Sequence, residues 1–232
     1  LAMYFGFDKL KTKKPIGHFI RAFSASGCVV FYIYGINNLM LSENIAIAHS
    51  APIIAAFLAV PILGERIGIF RTTAILIGFI GVLIIVKPGT DLFKLESLYP
   101  LISACFMASV YLSTRSVMST DSSVAIIFYY SFALLITSLV FFPSDFIMPN
   151  LVQLMFAMSL GIMGSFGHFF MSQAAKNADV AVTSPFEYSS FIFVGLMGFL
   201  IFAEVPTYSI YIGGFIIISS GIFIAYRERK NN

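Results

Sequence analysis

Apolar residues in this chain run on for about 20 positions at a time, broken by short clusters of Lys, Asp, Asn, Gly and Pro. A helix rising 1.5 Å per residue needs about 20 apolar residues to cross a hydrocarbon core about 30 Å thick. The runs predict spans at 16–36, 43–63, 68–86, 96–117, 123–142, 151–172, 180–203 and 208–226. Asp8-Lys9-Leu10-Lys11-Thr12-Lys13-Lys14-Pro15 reads as a solvated loop, with Pro15 suited to the first turn of the helix that follows. The apolar stub from Leu1 to Phe7 is too short to span and reads as the end of an upstream helix, so an N-terminally truncated chain is expected.

Composition agrees with that pattern. Hydrophobic residues make up 59% and charged residues 11%, against about 25% charged in soluble domains, so there is too little charge to coat a water-exposed surface. The fold class is an all-α, polytopic membrane helix bundle. A net charge of +3 is no argument for nucleic acid, and none is expected as a partner. What matters is where the cations sit. Of the 14 Lys and Arg, only Lys87 and Lys94 fall opposite the side that holds the Lys9–Lys14 loop, Arg66, Arg71, Arg115, Lys176 and the tail Arg227, Arg229 and Lys230, when Arg21 is counted at the end of its helix. Cytoplasmic loops hold the cation excess, so that side, with the C-terminus, is assigned to the cytoplasm of a cytoplasmic (inner) membrane. Cys28 and Cys105 both lie in apolar runs, without CxxC or metal-ligand spacing, and no metal or cofactor is expected.

Two segments resemble each other. Asn44 to Pro52, with His49 and Ser50, leads through an apolar helix to Gly64-Glu65-Arg66 and a helix bearing Gly78 and Gly81. Asp179 to Pro185 leads likewise to Ala203-Glu204-Val205-Pro206 and a helix bearing Gly213, Gly214 and Gly221. The cation count puts Glu65 inside and Glu204 outside, which makes the pair an inverted repeat, the build of many secondary transporters.

Gly161, Gly164, Gly167-His168, Ala174 to Ala178, Pro185-Phe186-Glu187-Tyr188, Gly198, Phe202 to Thr207, Gly213 and Ser220-Gly221 together resemble the EamA-type drug/metabolite transporter family across the second half. The first half resembles it more loosely, through Pro52, Gly64-Glu65-Arg66 and Gly78/Gly81. The resemblance implies ten helices in two inverted five-helix repeats around a central cavity. Residues 1–90 would be a first repeat lacking its first helix and most of its second, and 91–232 the second. The Lys-rich loop and Gly78-Phe79-Ile80-Gly81-Val82 also resemble the rickettsial-type S-adenosylmethionine uptake carriers within that family.

Polar residues at bilayer depth need a partner, a wet cavity or a function. Glu187 stands out, seven residues after Val180 and so about 10 Å into its span. Tyr188 and Ser184 are beside it, and the repeat pairs Tyr188 with His49, next to Ser50. Arg21, one turn after His18, Ser24, Tyr111, Ser165 and His168 are further candidates for substrate contact, though each is also an ordinary helix-to-helix tie. The glycines around His168 read as close helix packing. Pro52 and Pro185 each remove a backbone donor, opening the Ala48 and Ala181 carbonyls. Glu65 and Glu204 read as structural helix ends.

The function expected is secondary transport of a small organic metabolite by alternating access. A carboxyl at Glu187 beside an open carbonyl favours a cationic or amine-bearing solute. An intramembrane enzyme or a channel-like pore is the alternative. Neither HExxH, GxSxG, a phosphate loop nor a filter sequence is present, and no enzyme activity is expected. Membrane lipid is the surrounding partner, and association as a homodimer is left open. Reporter fusions after Lys14, near Arg71, at Lys176 and at the C-terminus should read cytoplasmic, and fusions near Asp91 or Asp145 external. A fusion that crosses between these sets breaks the inverted-repeat argument.

Overall fold

The protein is described here by a computed structural model covering residues 12–63, 69–87, 93–118, 120–141, 148–177 and 180–231. Within these, the side chains at 60, 63, 71, 115, 123, 168, 171, 172, 175–189, 191, 225 and 228–231 lie outside the description. The helices are α1 (Pro15–Asn38), α2 (Leu41–Ala48), α3 (Ala51–Leu63), α4 (Ile69–Val86), α5 (Leu98–Met118, entered from the 3-10 turn Leu95–Ser97), α6 (Ser123–Val140), α7 (Leu151–Asn177), α8 (Val180–Phe202) and α9 (Tyr208–Asn231). No strand occurs among the described residues.

The pattern of apolar runs corresponds to these helices with one correction. The span expected at 43–63 is broken at His49–Ser50 into α2 and α3. Pro52 has no N–H to continue α2, so the chain tightens instead: His49 N donates to the Ile45 carbonyl and Ser50 N to that of Ile47, both at 3.0 Å. The ladder restarts when Ile54 N reaches the Ser50 carbonyl at 3.0 Å. Pro52 thereby occupies the first turn of α3, where its ring costs nothing. Pro185 behaves otherwise. α8 runs from Val180 to Phe202 without interruption, so the proline that removes a donor from the Ala181 carbonyl sits inside a continuous helix.

Two compact units divide the chain, one formed by Leu1–Ser26 and Ser113–Ala178 and the other by Gly27–Leu112 and Asp179–Asn232. In the second, an apolar core joins Ile47 and Ile53, on either side of the helix break, to Ile75, Val82 and Ile85 of α4 and to Ile210, Ile217 and Ile224 of α9. The seven-residue spacing on α9 keeps one face turned to the core. Lipid is as apolar as leucine, so helix association relies on close approach and hydrogen bonds instead. Gly81 and Gly213 supply the approach: a Cβ at Gly81 would lie 2.8 Å from the Gly213 carbonyl oxygen, and one at Gly213 would lie 2.6 Å from that of Gly81. Ser220 supplies the hydrogen bond, its hydroxyl donating to the Ala74 carbonyl.

At the end of α8 the backbone turns through Ala203 at φ 53°, with Glu204 N reaching back to the Gly198 carbonyl at 3.1 Å. That six-residue closure satisfies the last carbonyls of the helix. The Glu204 carboxylate then accepts the Leu41 N–H at 2.8 Å, capping the start of α2. Glu204 is thus structural, as its position predicts, but it stabilises another helix as well as its own end. Glu65 lies outside the described residues.

In the first unit, α6 is capped by Ser122, whose hydroxyl accepts the Ala125 N–H at 3.1 Å. Residues 151–167 of α7 are exposed throughout, and nothing lies within 4 Å of a Cβ built on Gly161, Gly164 or Gly167. The close packing expected of these glycines is therefore absent among the described residues.

Gly81→Val should cost about 1–3 kcal/mol through overpacking against unyielding backbone. Gly161→Ala should be neutral or gain up to about 1 kcal/mol from helix propensity. Thermal denaturation of the two variants in detergent compares them, and an equal loss in both would refute the close approach at Gly81.

Candidate functional site

α1 is built inside out. Phe19, Ile20 and Phe23 are exposed, while His18, Arg21, Ser24 and Cys28 are buried. In water that helix would invert; in lipid the polar stripe must face protein. The stripe divides between the two units, and each part has its own surroundings.

In the first unit His18 and Arg21 meet the α5–α6 turn and the start of α6. His18 Nε2 lies 2.8 Å from Asp121 Oδ2, and both side chains are buried. Asp121 also accepts the Thr12 hydroxyl, and the Lys13 N–H at 3.2 Å. One turn further, Arg21 is 6% exposed; its Nε donates to Thr114 Oγ1 at 2.9 Å and its Nη1 to the Ile126 carbonyl at 3.3 Å. The Tyr130 ring centroid stands 5.4 Å from Arg21 Cζ. Ser24 is buried in the same unit. Ser165, by contrast, is exposed, and its hydroxyl donates to the Gly161 carbonyl of its own helix at 2.8 Å. A back-bonded outward serine of this kind lines no site in this unit.

The second unit holds the helix break. His49 Nε2 lies 3.1 Å from Ser190 Oγ on α8, so the break is tied to that helix by a side-chain hydrogen bond. Ser50, at 1% exposure, has no hydrogen-bond partner for its hydroxyl among the described residues. Asn44 is fully buried, and among the described residues neither Oδ1 nor Nδ2 has a partner at hydrogen-bonding geometry, although the Tyr32 phenol lies beside it. Ser42 Oγ is likewise buried and has no hydrogen-bond partner among the described residues. Room for Asn44 comes from Gly35, where a Cβ would fall 2.0 Å from Asn44 Oδ1. Tyr111 packs against the apolar cluster of Ala51, Ile54, Ala104 and Ala108.

Of the residues singled out from sequence, the structure joins His49 to the break beside Ser50 and places Arg21 and Ser24 on the buried stripe. Glu187, Tyr188, Ser184 and His168 have side chains outside the described ones. Asn44 and Ser42 were missed. The sequence signal for them was their place in the Ser42-Glu43-Asn44 run, which looks like a loop entering a helix and is instead the buried first turn of α2.

Asp121, in the α5–α6 turn, is pushed up by burial, but the hydrogen bonds from Thr12, His18 and Lys13 outweigh this and hold its carboxyl well below the usual carboxylate range. A depressed carboxylate stabilises the fold above its ordinary pKa and loses that contribution as pH falls toward its folded value. Asp121→Asn should therefore be less stable than the parent protein at about pH 6 and lose less on acidification to about pH 3. Parallel melting curves across that range would show instead that the latch carries no proton linkage.

Comparison with known proteins places this geometry. A solved structure described only as a crystal structure of a protein shares the fold, with a TM-score of 0.65 at 16% identity over 100% of this chain and 83% of that one. The S-adenosylmethionine uptake transporter of Rickettsia prowazekii (strain Madrid E) is 29% identical over 229 residues, 99% of this chain and 78% of the relative. The riboflavin transporter of Vibrio cholerae serotype O1 is 28% identical over 227 residues, covering 97% and 76%. A pseudopaline exporter of Pseudomonas aeruginosa is 27% identical over 207 residues, covering 87% and 72%. The model of the EamA-like transporter family matches residues 1–87 and 95–226, and the chain belongs to that family.

Proposed function

We propose that this protein is a secondary carrier that moves a small polar organic metabolite across the cytoplasmic membrane, with the α2–α3 break as a substrate-contacting element. The observation that carries this reading is the interrupted span itself: a helix broken at His49–Ser50, with the buried Asn44 and Ser50 side chains lacking hydrogen-bond partners among the described residues. An unsatisfied polar group buried in an apolar surrounding costs about 1–3 kcal/mol. Non-helical backbone at membrane depth is tolerated where it lines a cavity, and discontinuous helices hold the solutes of many secondary transporters. A solute with donors and acceptors would recover that cost at Asn44 and Ser50.

Relatives named for S-adenosylmethionine, riboflavin and pseudopaline support small-metabolite transport as the class. They also support a carrier over an intramembrane enzyme. S-adenosylmethionine is the solute to try first, since several relatives of that name match nearly the whole chain. Alternating access would rock the two inverted repeats, 1–90 and 91–232, about the site, with the C-terminus cytoplasmic. Glu187 lies on α8 three residues before Ser190, one helical turn from the residue that bonds His49. We assign it the preference for an amine-bearing or cationic group.

Uptake of labelled S-adenosylmethionine and riboflavin into cells expressing the full-length protein should saturate and show counterflow for one of them. Asn44→Leu, Ser50→Val and Glu187→Gln should each lower uptake about tenfold or more at unchanged membrane expression, roughly the loss of one 1.4 kcal/mol contact. Non-saturating flux without counterflow would favour a pore, and full uptake by Asn44→Leu would remove the break from the site.

A further inference from the structure

We propose that Arg21 is an anchor for a carboxylate on the transported solute. The inference deepens the carrier reading and rests on it. A guanidinium carries five N–H donors and, in a protein, does not give up its charge. Arg21 uses Nε on Thr114 and Nη1 on the Ile126 carbonyl, which leaves three N–H donors without an acceptor among the described residues. Both acceptors in use are neutral. Arg21 Cζ also stands over the Tyr130 ring, 5.4 Å from its centroid, a contact that brings no counter-charge.

No carboxylate lies within ion-pair distance of Arg21 among the described residues. Asp121, in the same unit, is spent on Thr12, the Lys13 N–H and His18. A buried ion without a partner costs several kcal/mol, and replacement of such a group by an apolar side chain of similar size often leaves a fold as stable or more so. A guanidinium kept there is explained by a counter-ion that arrives and leaves. Planar geometry selects the counter-ion: a carboxylate accepts two parallel N–H bonds from the fork, which a lysine ammonium does not offer.

The test uses the full-length protein in lipid nanodiscs and reads thermal stabilisation by three acids: S-adenosylmethionine, methionine and 2-oxoglutarate. Each is compared with its decarboxylated or esterified counterpart. At least one acid should stabilise saturably, with a half-saturating concentration about tenfold or more below that of its counterpart. Arg21→Gln should erase the difference between acid and counterpart, Arg21→Lys should retain part of it, and Arg21→Met should be at least as stable as the parent without ligand. A wild-type protein that answers acid and ester alike, or answers none of the three acids, overturns the assignment, as does Arg21→Gln with the acid preference intact. Comparison within the wild type needs no variant to fold. Uptake measured in parallel separates the two readings: acid-selective stabilisation without transport of any of these solutes would sink the carrier and leave the anchor standing.

Discussion

Every polar group in this chain that lies between the membrane surfaces must turn away from lipid, toward protein or a polar cavity, because hydrocarbon offers no partner. That constraint decides which way α1 faces. His18, Arg21, Ser24 and Cys28 recur at helical spacing and turn inward, leaving Phe19, Ile20 and Phe23 to the lipid. Cys28 shows how the requirement is met in the ordinary case: Ser103 donates its hydroxyl to the Cys28 carbonyl at 2.9 Å and stands 3.3 Å from its sulfur. One serine thereby joins α1 to α5.

The same constraint accounts for the division of labour among the helices of the second unit. α4 and α9 carry little polarity on their shared face and meet through Gly81 and Gly213, with Ser220 bonded to the Ala74 carbonyl. Backbone against backbone leaves little freedom to move, so this pair is a rigid element. α2 and α3 are the opposite case. Their ladder is interrupted, Asn44 sits where Gly35 makes room, and the His49–Ser190 bond ties the turn to α8. The His49–Ser190 hydrogen bond, worth about 1 kcal/mol, is of a size that the solute of the proposed carrier could replace with equivalent bonds.

Much of this was legible in the sequence, and the exceptions have physical causes. Run length and charge position defined the spans, since bilayer thickness sets the one and loop solvation the other. The break at His49–Ser50 was hidden because hydropathy registers no difference between one long helix and two collinear ones; only Pro52 marked it, and Pro185 carries the same mark inside a continuous helix. Ser165 and the glycines of α7 looked like interior positions by composition and are exposed, because which face a helix buries depends on its neighbours and not on its own letters. The Asp121 latch was invisible, since its partners are Thr12, Lys13 and His18, over one hundred residues away in the chain.

Residue type is therefore a weaker guide to the site than satisfaction. Asp121 looks more reactive than Asn44, yet its carboxylate is fully engaged and its latch stabilises the fold. Ser103, Ser220 and Glu204 likewise have their partners. Among the described residues Asn44 and Ser50 do not, and three of the Arg21 N–H groups do not. A fold selected for stability alone would replace these groups with apolar ones, because each unsatisfied neutral group costs about 1–3 kcal/mol and an unpaired charge more. For Asn44 and Ser50, the carrier proposed above would supply a partner as its solute. A hold of that kind would be weak and reversible, since the solute would recover the cost of burial but little beyond it.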